Sequence, residues 1–309
     1  MNEQLNSELL TRIAWLYYYE DQSQQEIGEL LGLPRIKITR LLKTIRKQKI
    51  VDIKIEKKHF SLFSLEKKFS EATGLADVTI VPTGKDAGDI VAAAAAERFI
   101  DSCRKYERIG IGASRIVSRM FEKINSPIPR IKVKYFVSLT GNAMPNFAAN
   151  PYSGGWTLSK TLGADFYHIW APAIATTPEV ANILRHDYVI EPVLKMANSV
   201  DYAIMGIGDI KNSLLFSHGF LAEKEVSEVM ALGAVGEIFG HFFSIDGELL
   251  RTEMQERAIC ADFPMKCPMM AIAYGEEKVN PIIGALRGKL ISALIIDEKT
   301  ALAVLNAKW

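Results

Sequence analysis

The stretch Arg108-Ile109-Gly110-Ile111-Gly112-Ala113-Ser114-Arg115 changes its pattern halfway along. Arg108–Ile111 predicts a short strand, and Ser114 stands where a helix running to Ile124 needs an acceptor for its first amides. Gly112 provides the turn between them. A strand that passes straight into a helix leaves free backbone amides at the helix start, and with the Ser114 hydroxyl and the Arg115 guanidinium these can converge on an anion. A lone Gly-x-Gly is also an ordinary structural corner, so recurrence has to decide.

The corner recurs. From Ala76 onward, strands are predicted at Asp77–Val81, Arg108–Ile111, Val133–Leu139, Phe166–Trp170, Asp201–Ile207, Met269–Tyr274 and Leu290–Ile296. Helical spacing fills the gaps at Ala87–Arg104, Ser114–Ile124, Pro178–Leu184, Glu191–Ala197, Ala222–Leu232, Glu277–Leu286 and Lys299–Leu305. This order implies an α/β fold, a mostly parallel sheet with helices on both faces, whose ligands bind beyond the carboxyl ends of the strands. The alanine run 92–96 reads as a helix packed closely on that sheet.

Two more strand ends carry glycine, Leu139-Thr140-Gly141-Asn142 and Gly206-Ile207-Gly208-Asp209. Gly112, Ser114, Arg115, Thr140, Gly141, Asn142, Gly206 and Gly208 are therefore expected around one anion pocket. Gly275-Glu276-Glu277-Lys278 follows a further strand and allows Lys278 to point a cation into it, although a lysine in a first helical turn is also a common surface residue. Val235-Gly236-Glu237-Ile238 reads as exposed helix, with Glu237 and His241 four residues apart on one face.

Upstream the composition differs. Leu9, Leu10, Ile13, Ala14, Leu16 and Tyr17 mark a helix over residues 6–20. Ser23-Gln24-Gln25-Glu26 has the form of a capping box for a helix Gln24–Leu31, Gly32 fits its left-handed end, and Pro34 can begin a third helix spanning Arg35–Lys49. Between residues 30 and 58 ten basic residues face two acidic ones, a local charge of +8. Two short helices joined by a tight glycine-containing turn, the second basic, form a helix-turn-helix. Gln25, Arg35, Lys37, Thr39, Arg40 and Lys43 are the expected DNA contacts, with Arg46 and Lys47 further along on phosphates. Val51–Ile55 alternates like a strand and would serve as a wing. Phe60, Phe63, Leu65 and Phe69 predict an amphipathic connecting helix, serving core packing or a dimer contact.

Composition bounds the rest. The chain has 309 residues, 49% hydrophobic and 24% charged, with a net charge of only +1 because a body at −2 dilutes the basic head. Cys103, Cys260 and Cys267 suit neither a disulfide framework nor a metal site, and the five histidines (His59, His168, His186, His218, His241) lack metal spacing. The polar N-terminus and the absence of a long apolar stretch predict a cytoplasmic protein without a membrane partner. No nucleophile or metalloprotease motif appears, so neither catalytic residues nor a cofactor is expected.

The residues that carry a family resemblance are Ile13-Ala14-Trp15-Leu16-Tyr17-Tyr18, Gln24-Gln25-Glu26-Ile27 through Leu33, Arg40-Leu41-Leu42 and Ile50-Val51 in the head. In the body they are Leu139-Thr140-Gly141, Ala171-Pro172-Ala173, Gly206-Ile207-Gly208, Ala234-Val235-Gly236, Phe242-Phe243, Asp246-Gly247, Lys278, Ala285-Leu286-Arg287-Gly288 and Asp297. Over nearly its whole length the chain resembles the SorC family of sugar-responsive bacterial transcriptional regulators. The resemblance implies a winged helix-turn-helix domain (1–58), a linker helix (59–75) suited to oligomerisation, and a Rossmann-like effector domain (76–309) similar to sugar-phosphate isomerases and deaminases. It implies operator DNA and a phosphorylated sugar as partners, a homotetramer or dimer, and repression of a carbohydrate operon. By position, Gly112, Ser114 and Arg115 fall in the family's phosphate loop, Thr140 and Gly141 in the adjoining loop, and Lys278 at its effector lysine. Glu237 falls where many members have an effector-contacting aspartate, Asn142 replaces a frequent glycine, and Ser114 stands where glycine is common. Thr140 replaces the Schiff-base lysine of some relatives. A phosphosugar isomerase or deaminase with a helical appendage is the alternative, and a constitutive DNA-binding protein a third reading.

Overall fold

The computed structural model describes residues 2–48, 50–51, 57–124, 131–142, 152–213, 216, 219 and 222–307. The chain divides into two compact units, Met1–Phe60 and Ser61–Trp309.

The first unit holds helices α1 (Asn2–Tyr18), α2 (Gln24–Leu31) and α3 (Arg35–Lys47). The capping box forms: Ser23 Oγ accepts the Glu26 amide at 3.3 Å, and the Ser23 amide donates to Glu26 Oε2 at 2.7 Å. Gly32 closes α2 at φ 63°. Leu10, Ile13, Ala14, Ile27, Ile38, Leu42 and Ile45 make the core, so one face of each helix is spent on packing. Losing the Ser23 acceptor removes an amide partner from α2, and Ser23→Ala is expected to lower the stability of this unit by about 1 kcal/mol in denaturant melts. The wing strand expected at Val51–Ile55 lies, from residue 52 onward, outside the described residues, as do Lys49, Lys54 and His218.

Helix α4 (Lys57–Thr73) occupies the expected connecting segment. Leu65 and Phe69 are buried in the core of the second unit, whereas Phe63 is 65% exposed. The side chains of Lys57, Lys58, His59 and Phe60 lie outside the described ones. There follow β1 (Asp77–Val81), α5 (Ala87–Lys105), β2 (Arg108–Ile111), α6 (Arg115–Glu122), β3 (Tyr135–Ser138), α7 (Ser153–Leu162), β4 (Asp165–Tyr167), α8 (Pro178–Arg185) and α9 (Ile190–Asn198). The chain continues through β5 (Tyr202–Gly206), α10 (Glu223–Ala231), β6 (Ala234–Ile238), β7 (His241–Ser244), α11 (Glu253–Arg257) and β8 (Met269–Ala273). A 3-10 turn (Glu276–Lys278), α12 (Val279–Arg287), β9 (Ala293–Asp297) and α13 (Glu298–Asn306) complete it.

Seven strands form one parallel sheet in the order β1-β9-β8-β5-β2-β3-β4. Its central strands are buried on both faces, which explains their uninterrupted apolar sequences. In β5, Tyr202 and Ile204 face the core shared with α5 and α6, while Ala203 and Met205 face the core shared with α4, α12 and α13. Ala92, Ala95 and Ala96 let α5 approach closely, as the alanine run predicted.

Helix α7 (Ser153–Leu162) lies where the sequence reading placed no element, and one segment read as helix takes another form. Residues 234–244 form an antiparallel hairpin, β6 with β7, and not a helix. Phe239 and Gly240 both take positive φ, the two-residue reversal that suits the twist of a hairpin. Glu237 and His241 therefore share no helix face. Beyond the hairpin, Gly247 (φ +82°) meets Gly288 after α12 so closely that a Cβ on Gly247 would stand 2.1 Å from the Gly288 nitrogen.

Candidate functional site

After β2 the chain builds β3 and β4 toward one edge, then returns to place β5 on the other side of β2 and continues through β8 and β9. The loops leaving β2 and β5 diverge there, and such a reversal opens a crevice at the carboxyl ends. A cavity of about 480 Å³ lies at this place. That volume suits a small molecule.

Gly112 leaves β2 with its amide donating to the Ile204 carbonyl at 2.8 Å, and a Cβ on it would lie 2.9 Å from the Met205 Cβ. Ser114 is the N-cap of α6, its Oγ accepting the Val117 amide at 3.1 Å. Gly206 makes room for that hydroxyl, since a Cβ there would be 2.7 Å from Ser114 Oγ. Lys278 reaches the cavity from the 3-10 turn and donates to Asp209 Oδ2 at 2.8 Å, both side chains being largely buried. Asp209 Oδ1 accepts from the Asn212 backbone at 3.0 Å and from Asn212 Nδ2 at 2.8 Å. The Asn212 carbonyl in turn accepts from Arg115 Nη2 at 2.7 Å. Two cations of the cavity are thus joined through one turn after β5. Burial pushes the Asp209 carboxyl up, but the Lys278 ammonium and the Asn212 donors outweigh it and hold it below the ordinary carboxylate range.

Glu237 is buried in β6, contrary to the exposed helical placement. Its backbone exchanges two 2.9 Å hydrogen bonds with Gly208, and its Oε1 accepts the Gly240 amide at 2.6 Å. Burial raises its carboxyl above the usual range despite that amide and Lys278. A carboxyl that gains a proton easily can donate to a ligand hydroxyl as well as accept from one.

Gly112, Ser114, Arg115, Thr140, Gly206, Gly208, Glu237 and Lys278 all line the cavity. Gly141 and Asn142 do not line it. Their amides donate to the carbonyls of Ile259 and Ala171 at 2.8 and 2.7 Å, and Asn142 Oδ1 lies 2.9 Å from His168 Nε2. The residues after β3 are thus used to seat the chain against 171–173 and 259, and only Thr140 remains at the wall. Sequence reasoning missed Arg119, Asn212, Phe239 and Tyr274 among the lining residues, and gave Asp209 no role. Arg119 was findable: it follows Arg115 by four residues, on the same face of α6, and donates to the Tyr274 hydroxyl at 3.4 Å. Asn212 carries no pattern that marks it in advance.

His168 is buried, its Nδ1 has no hydrogen-bond partner, and burial lowers its pKa to about 4. The unfolded chain takes up a proton near pH 6.5 that the folded one refuses. Stability is therefore fully present above about pH 6.5 and falls as pH drops toward 4, by on the order of 3 kcal/mol, and urea melts across that range would measure it. His241, lowered by burial as well, acts in the same direction.

In the first unit Gln25, Arg35, Lys37, Arg40 and Lys43 are exposed. Gln25 Nε2 donates to Glu29 at 3.0 Å. Thr39 donates to Gln24 Oε1 at 2.6 Å, which ties α3 to α2, and Arg46 donates to the Tyr18 hydroxyl at 2.7 Å. Among the described residues no group of three or more His, Cys, Asp or Glu side chains can hold a metal ion, and no helix is long and apolar enough to cross a membrane.

A family described as "Putative sugar-binding domain" matches residues 57–306, the stretch that contains the cavity. The chain belongs to this sugar-binding family. Across both units it is 29% identical to the transcriptional regulator LsrR of Enterobacter sp. (strain 638), over 96% of this chain and 93% of that one. It is 30% identical to the erythritol catabolism regulatory protein EryD of Brucella abortus (strain 2308), over 96% of each. The full-length sorbitol operon regulator SorC from Klebsiella pneumoniae superposes with a TM-score of 0.74 at 25% identity, covering 97% of this chain and 99% of that one. The chain is a SorC-type transcriptional regulator with a sugar-binding domain, and the α/β architecture expected from the sequence is that of this family.

Proposed function

We propose that this SorC-type regulator binds operator DNA through residues 1–58 and releases it when a phosphorylated sugar enters the cavity of residues 76–309. The observation that carries the phosphate is the meeting of the Ser114-capped start of α6, Arg115 and Lys278 in one cavity. Free amides and the helix dipole favour an anion there, and two cations add charge-assisted hydrogen bonds. Gly112, Gly206 and Gly208 keep the backbone close to the ligand, while Thr140 and Glu237 are the partners of the sugar hydroxyls. Release follows if the ligand prefers the conformation in which paired heads no longer match the operator, and a 1:99 to 99:1 shift takes about 5.5 kcal/mol of differential affinity. The protein acts as a cytoplasmic homo-oligomer, dimer or tetramer, and represses a carbohydrate operon without turning its effector over.

A thermal-shift screen with phosphorylated and free sugars, repeated on operator-bound protein, tests the ligand class. One phosphosugar should raise the melting temperature, its dephosphorylated form should not, and the same compound should dissociate the DNA complex. In the head, Arg40→Ala is expected to weaken operator binding while the ligand-induced stabilisation persists, and to flatten the salt dependence of binding by about 0.9 log unit. The buried Glu237 beside Lys278 is the feature an isomerase would need as a proton carrier. Conversion of the stabilising sugar phosphate on prolonged incubation would revive that second reading.

A further inference from the structure

The outward face of α3 is not wholly polar. Ile36, its second residue, is 69% exposed, although the neighbouring isoleucines Ile38 and Ile45 are fully buried. At 100° per residue, Ile36 lies opposite the packed row Ile38, Leu42 and Ile45 and in line with Thr39, Arg40, Lys43 and Lys47. A branched apolar side chain therefore sits at the centre of a basic face, at the helix end where a helix-turn-helix meets base edges. Thr39, its neighbour one turn on, has its hydroxyl proton engaged by Gln24 and the Arg35 carbonyl. Arg35 and Lys37 flank Ile36 with long side chains suited to phosphates. Among the described residues, Ile36 belongs neither to the core of the first unit nor to the apolar side chains packed against it.

We propose that Ile36 is a specificity-determining residue of the operator contact, reading the 5-methyl group of a pyrimidine in the major groove. The assignment rests on the head being the DNA-binding unit. In the major groove the 5-methyl is the apolar mark among hydrogen-bonding edges, and unmodified DNA carries it as thymine alone. An aliphatic side chain gains from covering that methyl and offers nothing to a cytosine edge at the same place. The arginines and lysines around it supply affinity for any duplex. Ile36 supplies a preference.

The test uses the full-length protein. Selection from random unmodified duplexes gives the half-site, after which each thymine in it is replaced by deoxyuridine, which removes only the methyl. For the unaltered protein one such replacement per half-site should weaken binding about fourfold, the value of one buried methyl-sized group. With Ile36→Ala that penalty should disappear, and a fresh selection should lose its thymine preference at that position alone. The side chain is mostly exposed and outside the core cluster of the first unit, so the variant should melt within a degree or two of the unaltered protein. Ile36→Thr, which keeps a methyl, should restore part of the preference. The proposal is overturned if every deoxyuridine is tolerated by the unaltered protein, or if Ile36→Ala remains as sensitive to the same replacement. A selection that returns no consensus would sink the DNA assignment of the head, and this proposal with it.

Discussion

Lys278→Ala should abolish the response to the phosphosugar while leaving operator affinity unchanged. The ammonium is one of two cations joined through Asp209 and Asn212, and a hydrogen bond to a charged group contributes about 1.5–3 kcal/mol. Its loss predicts a ligand Kd weaker by roughly 10- to 150-fold. The expected deficit lies toward the upper end, because the variant also leaves the Asp209 carboxylate facing the incoming anion without its counter-charge. Asp209 keeps two donors from Asn212, so the fold should survive, with a melting temperature lowered by a few degrees. Gel-shift titration with and without ligand separates the two functions. Normal release by the variant would remove Lys278 from the effector site.

The second large effect is on folding. Gly247→Ala should cost at least about 3 kcal/mol, through two causes that add. Its φ of +82° disfavours any side chain, and the new Cβ would meet the Gly288 backbone at 2.1 Å. A backbone cannot step aside as a flexible side chain does. Relief requires moving the segment that follows β7 away from α12, and with it the hairpin that carries Glu237. Denaturant melts should therefore show a lowered midpoint, and ligand affinity should fall in the same variant. A near-normal midpoint would mean that the contact relaxes more readily than backbone against backbone allows.

Much of this architecture was legible because the signals are local. The Ser23 capping box, Gly32 and Pro34 fix α2 and the start of α3 within a few residues of each other. The buried runs of β5, β8 and β9 announce a parallel sheet, and the glycines after β2 and β5 mark the end where its cavity lies. The hairpin was not legible. Phe239-Gly240 is outside the usual Asn-Gly and Asp-Gly reversals, and Glu237 at mid-strand looks like a polar helix residue until its partner Gly208 is known. Gly141 and Asn142 misled for a related reason. Glycine and a polar side chain after a strand fit a ligand loop, but they equally fit chain-to-chain hydrogen bonds made with residues 29 or 118 positions away, which no local pattern reveals.

The seams of the sheet give the cavity a further consequence. Its walls come from segments separated by more than 160 residues, from Gly112 to Lys278, brought together across neighbouring strands. A bound molecule touching both ends acts as a clasp on contacts that the unfolded chain finds slowly. At a hundred times its Kd such a ligand adds about 2.7 kcal/mol to global stability, roughly a hundredfold fewer openings to a protease. The effector would then set how long each regulator molecule survives, as well as what that molecule does on DNA.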